Sequence, residues 1–124
     1  MLDELLGKFE IRIRTISLTN SREHWSKKAS RALQERGLAH FSWLAHFRIP
    51  RPKPPLRITL IRVAPRRLDD DNLRAALKSV RDGLADALRI DDRDTRVKWR
   101  YAQCRHREPR YYSVLVLVRR MEAP

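Results

Sequence analysis

Acidic side chains are concentrated in one short part of this sequence. Eight of the nine aspartates lie between residues 69 and 94, in the run Asp69-Asp70-Asp71, a pair further along, and the group Asp91, Asp92 and Asp94. Adjacent carboxylates repel one another unless a cation lies between them. Carboxylate oxygens are preferred ligands of Mg²⁺, which can bridge them to a phosphate. The run and the later group are therefore candidate metal ligands for phosphate-ester chemistry.

The rest of the chain is strongly basic. Among 124 residues, 28 Lys and Arg oppose 15 Asp and Glu, which gives a net charge of +13. Residues 69–94 alone carry a net charge of −3, so the remainder carries +16. Such a charge attracts polyanions, and nucleic acid is the partner that it predicts. Because a protein that only held phosphates would gain nothing from concentrated carboxylates, the contrast favours a metal-dependent enzyme.

Both acidic groups also have structural interpretations. One aspartate before a helix caps it and interacts favourably with its dipole, and the group around Asp92 would by itself be interpreted as a polar turn. In extended backbone, Asp69 and Asp71 would point the same way and Asp70 the opposite way. The helix between the groups would span about 27 Å. They meet only if the chain folds back from Asp92 or a second subunit supplies the missing carboxylate.

Basic side chains near the aspartates are candidates for phosphate contacts. Lys78 lies seven residues after Asp71 and on the same helix face as Asp82. It is either a cation near the scissile phosphate or half of an ordinary i,i+4 ion pair. The predicted DNA-contacting residues are Arg66, Arg67, Arg74, Arg96, Lys98 and Arg100. The last three alternate along a predicted strand, which suits a phosphate track and a solvated strand face equally well.

Several classes of protein are excluded by composition. The single cysteine, Cys104, cannot form an internal disulfide framework or a four-cysteine zinc site. Three glycines provide no glycine-rich phosphate loop. No apolar run reaches the roughly 20 residues of a membrane span, and residues 1–10 lack a signal-peptide pattern. We therefore expect a cytoplasmic, nucleoid-associated protein.

Hydrophobic periodicity predicts the elements that must position these residues. An apolar stripe predicts a helix over 72–89. Gly83 lies beside this stripe, and because glycine destabilises a helix, its presence there suggests a close approach to another element. Asn20 and Glu23 indicate the start of an earlier helix with Trp25 in the core, and Gly37 its end. Residues 38–47 suit a further helix or a strand. The predicted strands are 9–16, 56–63, 95–103 and 111–119.

The order of these elements predicts the fold class. The last strand is apolar on both faces, as a central strand would be, and the segment with Pro50, Pro52, Pro54 and Pro55 reads as an extended connector. We expect a single α+β domain spanning residues 1–124, with a mixed sheet of about four strands and two or three helices.

An ordered set of motifs resembles the RusA family of Holliday junction resolvases, which are small basic endonucleases often encoded by prophages. The set is Arg66-Arg67-Leu68-Asp69-Asp70-Asp71-Asn72-Leu73, then Lys78, Asp82 and Ile90-Asp91-Asp92. The family pattern is Asp-x-Asp-Asn-Leu, a lysine and an aspartate on the following helix, and an Asp-Asp pair about 20 residues on. The resemblance covers roughly residues 63–97.

The resemblance implies a RusA-like homodimer that binds four-way DNA junctions and nicks two opposed strands, in DNA recombination and repair, with Mg²⁺ or with Mn²⁺ in its place. It implies that Asp69, Asp71 and Asp92 are catalytic, metal-binding carboxylates, with Asp91 as the alternative within its pair, and that Lys78 is the catalytic lysine. In well-known members that lysine stands three residues after the motif asparagine, where this chain has Ala75. The alternative function is a non-catalytic basic nucleic-acid-binding protein or a degenerate resolvase.

Overall fold

The structure is a computed structural model that describes residues 4–16 and 24–122. Its elements follow one another in an α+β order. They are β1 (Glu4–Ile11), α1 (Trp25–His46), β2 (Leu56–Ala64), α2 (Asp70–Leu88), β3 (Val97–Arg105) and β4 (Ser113–Arg120). The predicted fold class is confirmed, with two helices among the described residues. No helix in these ranges has the length and apolar character needed to cross a membrane.

The four strands form one mixed sheet in the order β1-β4-β2-β3. β4 pairs antiparallel with β1 and β2, whereas β2 and β3 are parallel. Val114, Val116 and Val118 of β4 are fully buried, and Leu115 and Leu117 on its other face are half-buried. The prediction that this strand is central is therefore confirmed, because only a strand flanked on both sides shields both sets of side chains.

Both helices pack on one face of the sheet. Alternate residues of β2, such as Ile58 and Leu60, are buried against Trp43 of α1 and Leu77 and Leu84 of α2. Full burial of each such side chain contributes about 1.5–3 kcal/mol. Since α2 connects two parallel strands, it runs antiparallel to them. α1 packs beside α2 in the same direction, because Ala29 lies opposite the start of α2 and residues near Arg36 lie opposite its later turns.

Different elements begin and finish at the two ends of the sheet. We call the Asp69 end the one where β2 and β3 finish and α2 begins. We call the Asp92 end the opposite one, where α2 finishes and β3 begins. The first turns of both helices lie at the Asp69 end.

Helix α1 corrects three sequence predictions. It runs without a break through Gly37, so Gly37 is not its end and residues 38–47 are its continuation rather than a second element. Ala39, Trp43 and Phe47 continue the buried face at helical spacing, and the next proline is Pro50. Trp25 is 73% exposed rather than in the core. The predicted start at Asn20 and Glu23 lies outside the described residues, and His24 caps α1 through Nδ1, which accepts from the Ser26 amide at 3.2 Å.

The first strand lies five residues earlier than the predicted 9–16. Its last residue, Ile11, pairs with Val114, one residue after the start of β4. Residues 12–16 alternate as a strand would but have no partner strand there. The bounds of the other strands agree with prediction to within two residues.

The expectation for Gly83 is confirmed. A Cβ at this position would clash with the carbonyl oxygen of Arg36 and lie 2.9 Å from Cβ of Ala39. The two helices therefore touch through their backbones here. Beside this contact, the Arg36 guanidinium forms a two-point ion pair with the Asp86 carboxylate, with Nη2 donating to Oδ1 at 2.8 Å. The Arg36 guanidinium holds the pKa of Asp86 below its usual value.

Candidate acidic site and nucleic-acid groove

The first acidic run is divided between a helix cap and the first helical turn. Asp69 has extended backbone (φ −70°, ψ 169°) and is the N-cap of α2. Its Oδ1 accepts from the Asn72 amide at 2.8 Å, and its Oδ2 accepts from the Asn72 side-chain amide at 3.0 Å. Asp70 and Asp71 are already helical. The assumption of extended backbone was therefore wrong, and strand alternation does not set the directions of these carboxylates.

The helix sends the two remaining carboxylates to different surfaces. Asp70 lines a groove between α2 and β3. Asp71 is exposed and, at a spacing of seven residues, shares the outer side of α2 with Lys78. Within the described ranges, neither Asp70 nor Asp71 forms a hydrogen bond or an ion pair with its side chain. Both are thus available to an external cation, whereas Asp69 already has a structural role.

The loop before Asp69 is held by residues far away in sequence. The Gln103 side chain, on β3, accepts from the Leu68 amide at 2.9 Å and donates to the Leu68 carbonyl at 2.7 Å. The buried Arg62 guanidinium donates to the Arg66 carbonyl at 2.9 Å, and burial lowers its pKa. Sequence analysis did not identify Gln103 or Arg62, because the pairing of β2 with β3 that brings them under this loop is not encoded locally.

The second acidic group forms a turn with its own neighbours. The Asp91 carboxylate accepts from the Arg93 amide at 2.8 Å, and this bond, with a smaller contribution from Asp92, lowers the pKa of Asp91. The Asp94 carboxylate accepts from the Arg96 amide at 2.9 Å and from its guanidinium at 2.7 Å. These bonds lower the pKa of Asp94 to about 2. Asp91 and Asp94 thus fit the polar-turn interpretation.

The two acidic groups do not meet within one chain. α2 has 19 residues, about 28 Å, and it separates Asp69 and Asp71 from Asp92. In the described part of the chain, no three His, Cys, Asp or Glu side chains are grouped closely enough to hold a metal ion. Asp69, Asp71 and Asp92 of a single chain therefore do not fit a shared Mg²⁺. Asp92 of the same chain stays at the far end of α2 from Asp69 and Asp71, and a carboxylate supplied by a second subunit remains a prediction.

A basic groove with aromatic walls connects the two ends along α2. Its volume is about 530 Å³. The lining residues are Asp70, Leu73, Arg74, Arg81, Val97, Lys98, Trp99, Arg100 and Tyr101. The Arg74 guanidinium lies 5.7 Å from the Tyr101 ring centroid, and that of Arg81 lies 5.1 Å from the Trp99 centroid. Rings beneath guanidinium groups hold the cations in place while their N–H groups stay available to anions.

Arg81 is a groove residue that sequence analysis missed. Its Nη1 donates to the Tyr101 hydroxyl at 2.9 Å and its Nη2 to the Asp92 carbonyl at 3.1 Å. Its spacing of seven residues from Arg74 places both on one helix face. This spacing, next to a strand that alternates Trp99 and Tyr101, was the signal that could have identified it.

The predicted DNA-contacting residues separate into three sets. Arg74, Lys98 and Arg100 line the groove together. Arg66 and Arg67 are exposed in the loop before Asp69. Arg96 is engaged by Asp94 at the Asp92 end and is not among the residues that line the groove.

Lys78 lies apart from that groove. It is 73% exposed, and its Nζ lies 3.2 Å from Oδ2 of Asp82. It lines a shallow trough between α1 and α2, together with Leu33 and Arg36. The i,i+4 ion pair that sequence analysis gave as the structural alternative is therefore present.

Further cations surround the Asp69 end. The Arg12 guanidinium lies 4.2 Å from the Tyr111 ring centroid, and the His106 ring stacks on Tyr111 at 4.0 Å. The Tyr111 hydroxyl donates to the Glu10 carboxylate at 2.9 Å, which fixes the ring. Glu10 and Arg12 lie at the end of β1, and His106 and Tyr111 precede β4, so all four lie beside the end of β2.

No family model and no curated protein matches this chain. The resemblance to RusA resolvases therefore stays a prediction from the motif residues.

Proposed function

We propose that this protein is a metal-dependent endonuclease that acts on branched DNA and nicks opposed strands of a four-way junction. The supporting observation is the position of Asp70 and Asp71. They stand without side-chain partners among the described residues: Asp70 lies in the groove lined by Arg74, Arg81 and Lys98, and Asp71 follows it on the outer side of α2. Carboxylates so close to a phosphate-binding surface oppose DNA binding unless a cation joins them to the DNA.

The groove supplies the contacts that position the DNA backbone. Arg74 and Arg81 lie seven residues apart, about 10 Å along α2, and Lys98 and Arg100 of β3 line the same groove. Contacts of this kind fix orientation without reading base sequence, which suits a protein that recognises branched shape. The exposed Arg66 and Arg67 extend this surface to the Asp69 end.

The metal site would be completed by two copies of the chain. We propose that Asp71 of one copy and Asp92 of the other belong to the same site, because one copy holds them at opposite ends of α2. A divalent ion there would supply charge neutralisation at the scissile phosphate. A two-fold axis perpendicular to α2 brings unlike ends together twice, and two equivalent sites suit paired incisions.

The first experiment measures nicking and binding of a labelled four-way junction with Mg²⁺ and with EDTA. We expect paired nicks that chelation abolishes. Asp71→Asn should reduce nicking by about 100-fold or more, since it removes a charge at the reacting phosphate, and leave junction binding within about twofold. The matched control is Asp94→Asn, which changes an aspartate engaged only in its own turn and should retain nicking.

A mixed dimer tests whether the site is shared. In a dimer of one Asp71→Asn chain and one Asp92→Asn chain, a shared arrangement leaves one site with both substitutions and the other intact. We therefore expect single nicks from the mixture and none from either variant alone. Inactivity of the mixed dimer, with active wild-type dimers as reference, would contradict the shared site.

The second candidate function is non-catalytic binding of nucleic acid. It is favoured by the structural roles that Asp69, Asp94 and Lys78 already have. Salt-sensitive junction binding without nicking, in Mg²⁺ and in Mn²⁺, would establish this function and contradict the endonuclease proposal.

A further inference from the structure

One side of α1 is exposed, partly apolar and nearly free of charge. We define the outer face of α1 as the exposed residues opposite its buried side. They are Ser26, Lys27, Ser30, Leu33, Gln34, Gly37, Leu38, Phe41 and Ala45, of which only Lys27, near the start of the helix, is charged. Leu33 is 72% exposed and Phe41 68%. In a chain in which 35% of residues are charged, a solvated helix face would carry charges, whereas an apolar exposed face marks a contact surface.

The two glycines inside helices differ in what surrounds them. A Cβ on Gly83 would collide with the Arg36 carbonyl, so contact with α1 explains that glycine. A Cβ on Gly37 would meet nothing within 4 Å. Glycine is less favourable than alanine within a helix, and no contact within the described chain accounts for glycine at this position. Gly37 is the position where a helix of another molecule could approach the α1 backbone closely.

Charge distinguishes the occupants of this face. The open face of the sheet carries Arg57, Lys98 and Arg100, and the Asp69 end carries further arginines, so both suit DNA. The outer face of α1 offers a polyanion one cation, Lys27, near the start of the helix. Two copies that each carry +13 repel one another across basic surfaces, and they approach at a lower electrostatic cost through a surface with few charges.

We propose that the outer face of α1 packs against the same face of a second copy, antiparallel, about a two-fold axis at Gly37. The face is complementary to itself in this arrangement. Leu33 and Phe41 each lie four residues from Gly37, on either side, so Leu33 of one copy meets Phe41 of the other, twice. Gly37 meets its own equivalent and permits close approach of the backbones. Such a contact is isologous and closes at a dimer.

The same axis orients α2. Because α1 and α2 run in the same direction, antiparallel α1 helices make the α2 helices of the two copies antiparallel as well. The Asp69 end of each copy then lies at the same end of the assembly as the partner's Asp92 end. This consequence rests on the proposed function, whereas the interface itself does not.

The first test is the oligomeric state by sedimentation equilibrium over a range of concentrations. We expect a wild-type dimer whose dissociation constant rises about 30-fold or more in Leu33→Glu and in Phe41→Glu. The control is Ile49→Glu, which adds the same charge at a residue that is 90% exposed and outside the face, and it should leave the dimer intact. The far-ultraviolet circular dichroism spectrum checks that each variant is folded. A wild-type monomer at every concentration, or a dimer that both face variants retain, overturns the proposal.

The second test is cross-linking at the axis. In a Cys104→Ser background, Gly37→Cys should form a disulfide-linked dimer under mild oxidation, and Ile49→Cys should not. Equal cross-linking of the two variants overturns the proposal. Nicking by a monomeric Leu33→Glu chain would contradict the shared active site and leave the interface standing. A cross-linked dimer that binds junctions without nicking would retain the interface and contradict the endonuclease.

Discussion

The two ends of α2 hold acidic residues in different ways. At the Asp92 end, the carboxylates of Asp91 and Asp94 bond to residues two positions away, Arg93 and Arg96, so they are held by their own turn. At the Asp69 end, the loop is held by Gln103, 35 residues from Leu68 in sequence. The first arrangement requires only local sequence, whereas the second exists only when the sheet has formed.

This difference indicates where each group can have a function beyond folding. A carboxylate engaged with an adjacent guanidinium, as Asp94 is, has few lone pairs left for a ligand. At the Asp69 end, Asp69 caps α2 and Gln103 holds the loop, so neither role falls to Asp70 or Asp71. The carboxylates of Asp70 and Asp71 are therefore available to a cation.

Among the substitutions that test this difference between the two ends of α2, Gln103→Leu is expected to change the free energy of unfolding most. The leucine leaves the Leu68 amide and carbonyl without partners, which should lower the free energy of unfolding by about 1–3 kcal/mol. Urea denaturation measures the change. Asp94→Ala, which breaks only contacts within an exposed turn, is the control and should lower the free energy of unfolding by clearly less than Gln103→Leu does. Equal losses in the free energy of unfolding would mean that the long-range contact of Gln103 stabilises the protein no more than the local contacts of Asp94 do.

Substitutions of Asp69 are expected to have an intermediate effect on the free energy of unfolding. They separate its role as the cap of α2 from a role as a metal ligand. Asp69→Ala should lower the free energy of unfolding by about 1 kcal/mol, because Asn72 loses its cap acceptor. Asp69→Asn should stay within a few tenths of a kcal/mol of wild type, since asparagine caps equally well. Thermal or urea unfolding measures both variants. A large loss in Asp69→Asn would show that the charge, rather than the cap, stabilises this end.

The smallest effect is a pH dependence at the Asp92 end. The pKa of Asp94 is lowered from 3.8 to about 2 in the folded protein, so its contribution to stability is present above pH 4 and is lost as the pH falls towards 2. In Asp94→Asn, urea unfolding between pH 2 and pH 5 should show a shallower decline. Arg96→Gln should do the same because it removes the guanidinium that lowers this pKa. If the free energy of unfolding declines with falling pH in both variants as steeply as in the wild type, Asp94 does not contribute to the acid sensitivity of the fold.

The sequence predicted the elements whose patterns are set by burial. The apolar stripe of α2, the two apolar faces of β4 and the close contact at Gly83 all follow from side chains that must leave water. Gly37 was misread because glycine marks a helix end only where the chain also changes direction, and Ala39 and Trp43 continue the buried stripe beyond it.

The candidate site was predicted in part. Arg74, Lys98 and Arg100, which were predicted separately as DNA-contacting residues, line one groove, and their contact with DNA stays a prediction. The extended backbone assumed at Asp70 was wrong, because the first helical turn begins directly after the cap that Asp69 forms. Gln103 and Arg62 could not be found, since their partners are backbone groups brought near by strand pairing.

The common direction of α1 and α2 has an electrical consequence that is independent of any side chain. Each helix carries roughly half a positive elementary charge at its first turn and half a negative one at its last. Two helices side by side in the same direction reinforce one another instead of cancelling. The backbone alone therefore gives the domain a polarity along its length, with its positive pole at the Asp69 end.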